Sequence, residues 1–156
     1  DDGPYSTSAE VYDPATDSWS SAGNLTDGRT SHTATLMQDG RVLVVGGRGK
    51  TASSEIYDPA TGTWSLTGSL GIWRFQHTAW LLPDGRVLAA GGIARQNTTE
   101  VYDPASGEWS VGSPMANARY IHTATVLADG RVILTGGNSE SGGDRAVTNT
   151  TELYEP

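Results

Sequence analysis

The strongest apolar positions fall in short, evenly spaced runs. Residues 42–45 read Val-Leu-Val-Val, residues 87–90 Val-Leu-Ala-Ala and residues 132–135 Val-Ile-Leu-Thr. Runs of this length, almost continuously apolar, predict strands buried on both faces. Each is preceded by a segment that opens His-Thr-Ala and joined to it by Asp-Gly, a hairpin signal because Gly accepts positive φ. Each ends at a Gly doublet, where a side chain would obstruct close backbone approach. A third strand follows, as in "SSEIYDP", and its Asp-Pro terminates pairing. A short Trp-containing strand completes the unit. No window shows helical periodicity.

The unit repeats. Trp recurs at Trp19, Trp64 and Trp109, the Asp of "DGR" at Asp39, Asp84 and Asp129, and the Gly pair at Gly46, Gly91 and Gly136. The acidic-aromatic motif recurs at Glu10, Glu55, Glu100 and Glu152. Its spacing is 45 residues except for a last step of 52, which carries the added stretch "SESGGDR". With strands a to d in each unit, the chain opens at strand c, near Ala9–Asp13, and closes at a strand c. That makes 13 expected strands: a partial blade over 1–20 (c and d), full blades over 28–65 and 73–110, and a partial blade over 118–156 (a to c). Together, 1–156 reads as one domain.

Four antiparallel strands per 45 residues suit a propeller blade. No "GH…WD" signature is present. The Gly doublet, the aromatic Tyr57 and Trp64 seven residues later resemble the kelch repeat. The wording "RVLVVGG … EIYDPATGTW" is closest to bacterial kelch and galactose oxidase-like propellers. The resemblance implies an all-β fold, a kelch-type segment of four-stranded blades belonging to a six- or seven-bladed ring. About 3.5 blades fall short of that ring. End blades left open would expose apolar faces and strand edges. Self-association is therefore expected, as a homodimer that closes the propeller.

Composition narrows the chemistry. A net charge of −8 with a single Lys, Lys50, argues against nucleic acid, which requires clustered cations. No apolar run reaches the length of a membrane span, and no signal peptide is evident. Sequons at Asn24, Asn97 and Asn149 are compatible with a secreted or extracytoplasmic setting, the compartment being otherwise open. There is no Cys, hence no disulfide and no thiolate chemistry. The galactose oxidase resemblance implies a copper centre with a Cys-linked Tyr and an adjacent Tyr-His. Here Cys is absent and Ile121 separates Tyr120 from His122. The resemblance therefore carries the fold and not the chemistry, and the chain is expected to be non-catalytic, with no cofactor and no metal.

The recurring Arg29/His32, Arg74/His77 and Arg119/His122 have two readings. Three Arg around a channel could bind an anion, and three His suggest metal, but one pair per unit is also how structural positions recur. The recurring Glu read the same way, as packing partners for buried Tyr and Trp tips, with a glycosidase pair a minor alternative. The residues that break the repeat carry more information. Unit two has Trp73 and Phe75 flanking Arg74, and unit three has Tyr120 beside Arg119. The b-to-c connections differ too, with Arg95 and Asn138 among them. Aromatics beside Arg suit interface or sugar-stacking sites. The expected ligand face is thus Trp73, Arg74, Phe75, Arg95, Arg119, Tyr120 and Asn138, for a protein or carbohydrate ligand. Two alternatives remain: the propeller domain of an oxidase or carbohydrate-active enzyme with its catalytic residues elsewhere, and a self-assembling half-propeller with no ligand.

Overall fold

The structure, a computed structural model, describes residues 5–49, 52–93, 97–141 and 144–155. It is all-β. The strands are β1 (Ser8–Asp13), β2 (Ser18–Asn24), β3 (Thr33–Leu36), β4 (Val42–Val45), β5 (Ser54–Asp58), β6 (Thr63–Thr67), β7 (Thr78–Leu81) and β8 (Val87–Ala90). They continue as β9 (Thr99–Asp103), β10 (Glu108–Val111), β11 (Thr123–Val126), β12 (Val132–Thr135), β13 (Asn138–Ser141), β14 (Asp144–Val147) and β15 (Thr151–Tyr154).

Two complete meanders, β3-β4-β5-β6 and β7-β8-β9-β10, form the central blades. The hairpin β1-β2 precedes them and the three-stranded β11-β12-β15 follows. The 13 strands of the repeat are all present. The two additional ones, β13 and β14, pair within the inserted stretch from Asn138↔Val147 to Ser141↔Asp144. The inserted stretch, counted from sequence only as part of a b-to-c connection, therefore carries an antiparallel strand pair of its own.

Turn chemistry accounts for the strand ends. At each "DGR" the Gly has positive φ, +85° at Gly40 and +90° at Gly85. Arg41 N donates to Asp39 Oδ1 at 3.0 Å, and the Arg41 guanidinium folds back on the same carboxylate. At each Asp-Pro the carboxylate accepts from the backbone two residues on, as Asp58 does from Ala60 N at 2.8 Å.

The core lies between blades. Leu43, Val45 and Ile56 of the first full blade pack with Val87, Ala89 and Tyr102 of the second. Trp80, Leu88 and Val101 of the second pack with Val132 and Leu134 of the third. Alternate residues of one strand thus face opposite neighbours, as Leu88 and Ala89 do. This is why the b strands contain no polar residue until Thr135. Innermost strands β3, β7 and β11 adjoin in sequence around one side of the expected axis.

Candidate functional site

Each of the sheets β3-β4-β5-β6, β7-β8-β9-β10 and β11-β12-β15 is fastened by one Arg. Arg74 Nη1 donates to Gly91 O at 2.8 Å and to Thr98 O at 3.1 Å, while Nη2 donates to Glu100 Oε1 at 2.7 Å. Arg29 repeats this with Gly46 O, Ser53 O and Glu55, and Arg119 with Gly136 O, Thr150 O and Glu152. The Glu also accepts from two backbone N–H groups, Gly71 and Ile72 in the case of Glu100. A planar guanidinium is suited to this because its donors reach a carboxylate and two carbonyls at once. The three Arg are buried, Arg74 and Arg119 completely.

His fastens one blade to the next. His77 Nε2 lies 2.9 Å from Thr33 Oγ1 of the preceding blade, and His122 Nε2 lies 2.8 Å from Thr78 Oγ1. Desolvation first, and then the nearby Arg74, lower His77 to about 3. Desolvation and Arg119 lower His122 to about 4. Both rings are therefore neutral at pH 7. Around them the connections run blade to blade: Gly47 N donates to Arg74 O and Gly92 N to Arg119 O, both at 2.9 Å. A Cβ on Gly46 would stand 2.4 Å from Arg74 O, and one on Gly91 2.4 Å from Arg119 O, so these two Gly make room for the next blade.

The aromatics do not take the Glu as partners. Tyr57 and Trp64 are cross-strand neighbours with ring centroids 5.1 Å apart, as Tyr102 and Trp109 are at 5.3 Å. Their polar tips go to the preceding blade: Trp64 Nε1 donates to Ala22 O at 2.9 Å and Trp109 Nε1 to Gly68 O at 3.1 Å. The Glu are spent on Arg and backbone instead.

Motif models for the kelch repeat match residues 29–71 and residues 82–116. The chain is a kelch-repeat β-propeller segment. A copper-complexed fungal alcohol oxidase of the AA5 family is similar in fold, with a TM-score of 0.72 and 24% identity. The match covers 86% of this chain and 33% of that one, so the segment spans about a third of the oxidase. A search of curated proteins finds no match. Copper belongs to that oxidase. In this kelch segment the described residues contain no group of three or more His, Cys, Asp or Glu able to hold a metal. With Cys also absent, and His77 and His122 each bonded to a neighbouring Thr, these residues do not fit a copper centre.

The expected ligand residues divide by exposure. Arg74 and Arg119 are enclosed within their blades, so neither guanidinium is presented to solvent. Phe75 is only 6% exposed and Tyr120 is likewise buried, its hydroxyl without a hydrogen-bond partner among the described residues. Arg95 lies outside the described residues. Asn138 is half-buried at the start of β13, exchanging backbone hydrogen bonds with Tyr120 at 2.8 and 3.0 Å. Trp73 alone is prominent, at 42% exposure, and its ring stacks on Phe75 with centroids 5.6 Å apart and planes 12° from parallel.

Arg48, absent from the sequence-based set, completes this cluster. Its guanidinium sits 5.1 Å from the Phe75 centroid, and its backbone N donates to Thr30 O at 2.7 Å. It comes from the b-to-c connection of the preceding blade. A basic residue after the first Gly doublet was a readable signal; its contact with Phe75 depends on how adjacent blades stack.

Proposed function

We propose that this kelch segment is a non-catalytic binding module whose contact point is the Trp73–Phe75–Arg48 cluster, with a carbohydrate as its ligand. The observation that carries the reading is the half-exposed Trp73, held nearly parallel to a buried Phe75 with a cation beside it. A flat, rigid aromatic surface loses little conformational freedom on binding and stacks on the apolar face of a sugar ring. Arg48, exposed beside it, supplies donors for hydroxyl groups. Arg29, Arg74 and Arg119, His77 and His122, and Glu55, Glu100 and Glu152 support the non-catalytic part of the reading, because each is committed to the fold.

Titration with soluble oligosaccharides, followed by tryptophan fluorescence and calorimetry, tests this. Saturable binding that Trp73→Ala weakens at least tenfold, with folding intact, is the expected result. Binding that Trp73→Ala leaves unchanged, or turnover of the sugar, would sink it. Capture of a protein partner lost in the same variant would keep the face and replace the ligand class.

A further inference from the structure

The described Arg side chains are matched with carboxylates, with one exception. Arg29, Arg74 and Arg119 each pair with a Glu, and Arg41, Arg86 and Arg131 each with the Asp two residues earlier. Arg48 differs. It is exposed, and among the described residues no carboxylate forms an ion pair with it. Its charge rests instead on the face of Phe75, with Cζ 5.1 Å from the ring centroid. A cation on an aromatic face is held by the ring quadrupole. That contact consumes none of the N–H donors of the guanidinium.

The backbone beneath this cation is fixed across a joint. Arg48 N donates to Thr30 O at 2.7 Å, and Gly47 N, one residue earlier, donates to Arg74 O at 2.9 Å. Arg74 stands between Trp73 and Phe75 in the chain, so one short stretch ties the cation of one blade to the aromatics of the next. Both blades of this joint are complete four-stranded sheets, and the cluster therefore does not lie at an open end of the segment. Phe75 is shared: Trp73 stacks on it at 5.6 Å, and Arg48 sits 5.1 Å from the same centroid. A ligand on Trp73 thus has a cation within two stacking distances.

We propose that the ligand is an acidic oligosaccharide, with one sugar ring stacked on Trp73 and the carboxylate of a uronic acid unit held by Arg48. This rests on the carbohydrate reading above and adds the charge of the ligand to it. A guanidinium is always ionised, and its planar fork matches a carboxylate with two parallel hydrogen bonds. A hydroxyl group would use one donor and leave the charge unanswered. With the other described Arg already paired, the face offers a single cation and not a basic strip. The net charge of −8 also disfavours a densely charged polyanion, whereas one carboxylate at Arg48 is screened from distant Asp and Glu beyond about 8 Å at physiological salt.

Calorimetric titration of the 156-residue chain at pH 7 and about 0.15 M salt tests this. The probes are galacturonate and mannuronate trimers, their methyl esters and a neutral galactose trimer. The ester keeps the ring and removes the charge. At least one acid form is expected to bind tenfold or more tightly than its ester. Arg48→Gln should bring that ratio near one while melting like the unaltered chain, and Trp73→Ala should weaken acid and ester alike. Equal binding of acid and ester by the unaltered chain, or an acid preference that folded Arg48→Gln keeps, would overturn the inference and leave stacking on Trp73 in place. Binding of the neutral trimer with no uronate bound would do the same. Binding of none of these probes would overturn the carbohydrate reading along with it.

Discussion

Arg74 and Glu100 form an ion pair at 2.7 Å with both side chains buried, although Arg74 was expected among the contacts of the ligand face. Removing one partner strands the other in a low-dielectric site together with the carbonyls of Gly91 and Thr98. Arg74→Ala is expected to cost about 3–5 kcal/mol, the range for breaking a buried pair. Chemical denaturation measures it. A change below about 1 kcal/mol would show that the guanidinium is replaceable by water.

Acid should weaken the segment before any carboxylate titrates. His77 and His122 ionise at about 3 and about 4 when folded, against 6.5 when unfolded. The unfolded chain therefore binds more protons below pH 6.5, so stability is complete above that value and is lost as pH falls toward 4. Each His contributes about 1.4 kcal/mol per pH unit in that window. His32 and, below about pH 4.5, Glu152 are lowered too and act in the same direction. Urea midpoints at pH 7.5 and 5 should differ clearly, and His122→Gln should reduce the difference. Equal midpoints would mean that these rings ionise freely in the fold.

Trp109 separates packing from hydrogen bonding. It packs against the core between the two full blades and donates to Gly68 O and Ser54 Oγ. Trp109→Phe keeps most of the ring and loses the donor, for about 1–2 kcal/mol. Trp109→Ala also removes partly buried aromatic area and is expected to cost about 2–4 kcal/mol, at the lower end for large aromatic deletions. Equal losses in the two variants would assign the role to the indole N–H alone.

Trp73 and Phe75 should behave differently although they are stacked. Phe75→Ala removes a buried ring from under both Trp73 and Arg48 and should destabilise by about 3 kcal/mol. Trp73→Ala should change stability by less than about 1 kcal/mol while abolishing ligand stacking. Thermal melts of the two variants provide the comparison, and a larger loss from Trp73→Ala would make that residue structural.

Sequence alone determined the repeat, its four-stranded unit and the turns between strands, because these are local. Asp-Gly and Asp-Pro fix hairpins within a few residues, and the apolar b strands state that both faces are covered. The added hairpin β13–β14 was missed because its pairing residues carry no alternating apolar pattern. The roles of Arg, His and Glu were decided only by tertiary structure, since their partners stand 17 to 44 residues away and, for His, in another blade. The same holds for Arg48 over Phe75. A repeated motif reads identically at every copy, whereas burial depends on the neighbour: Ile56 is buried because Val87 and Ala89 of the next blade pack against it.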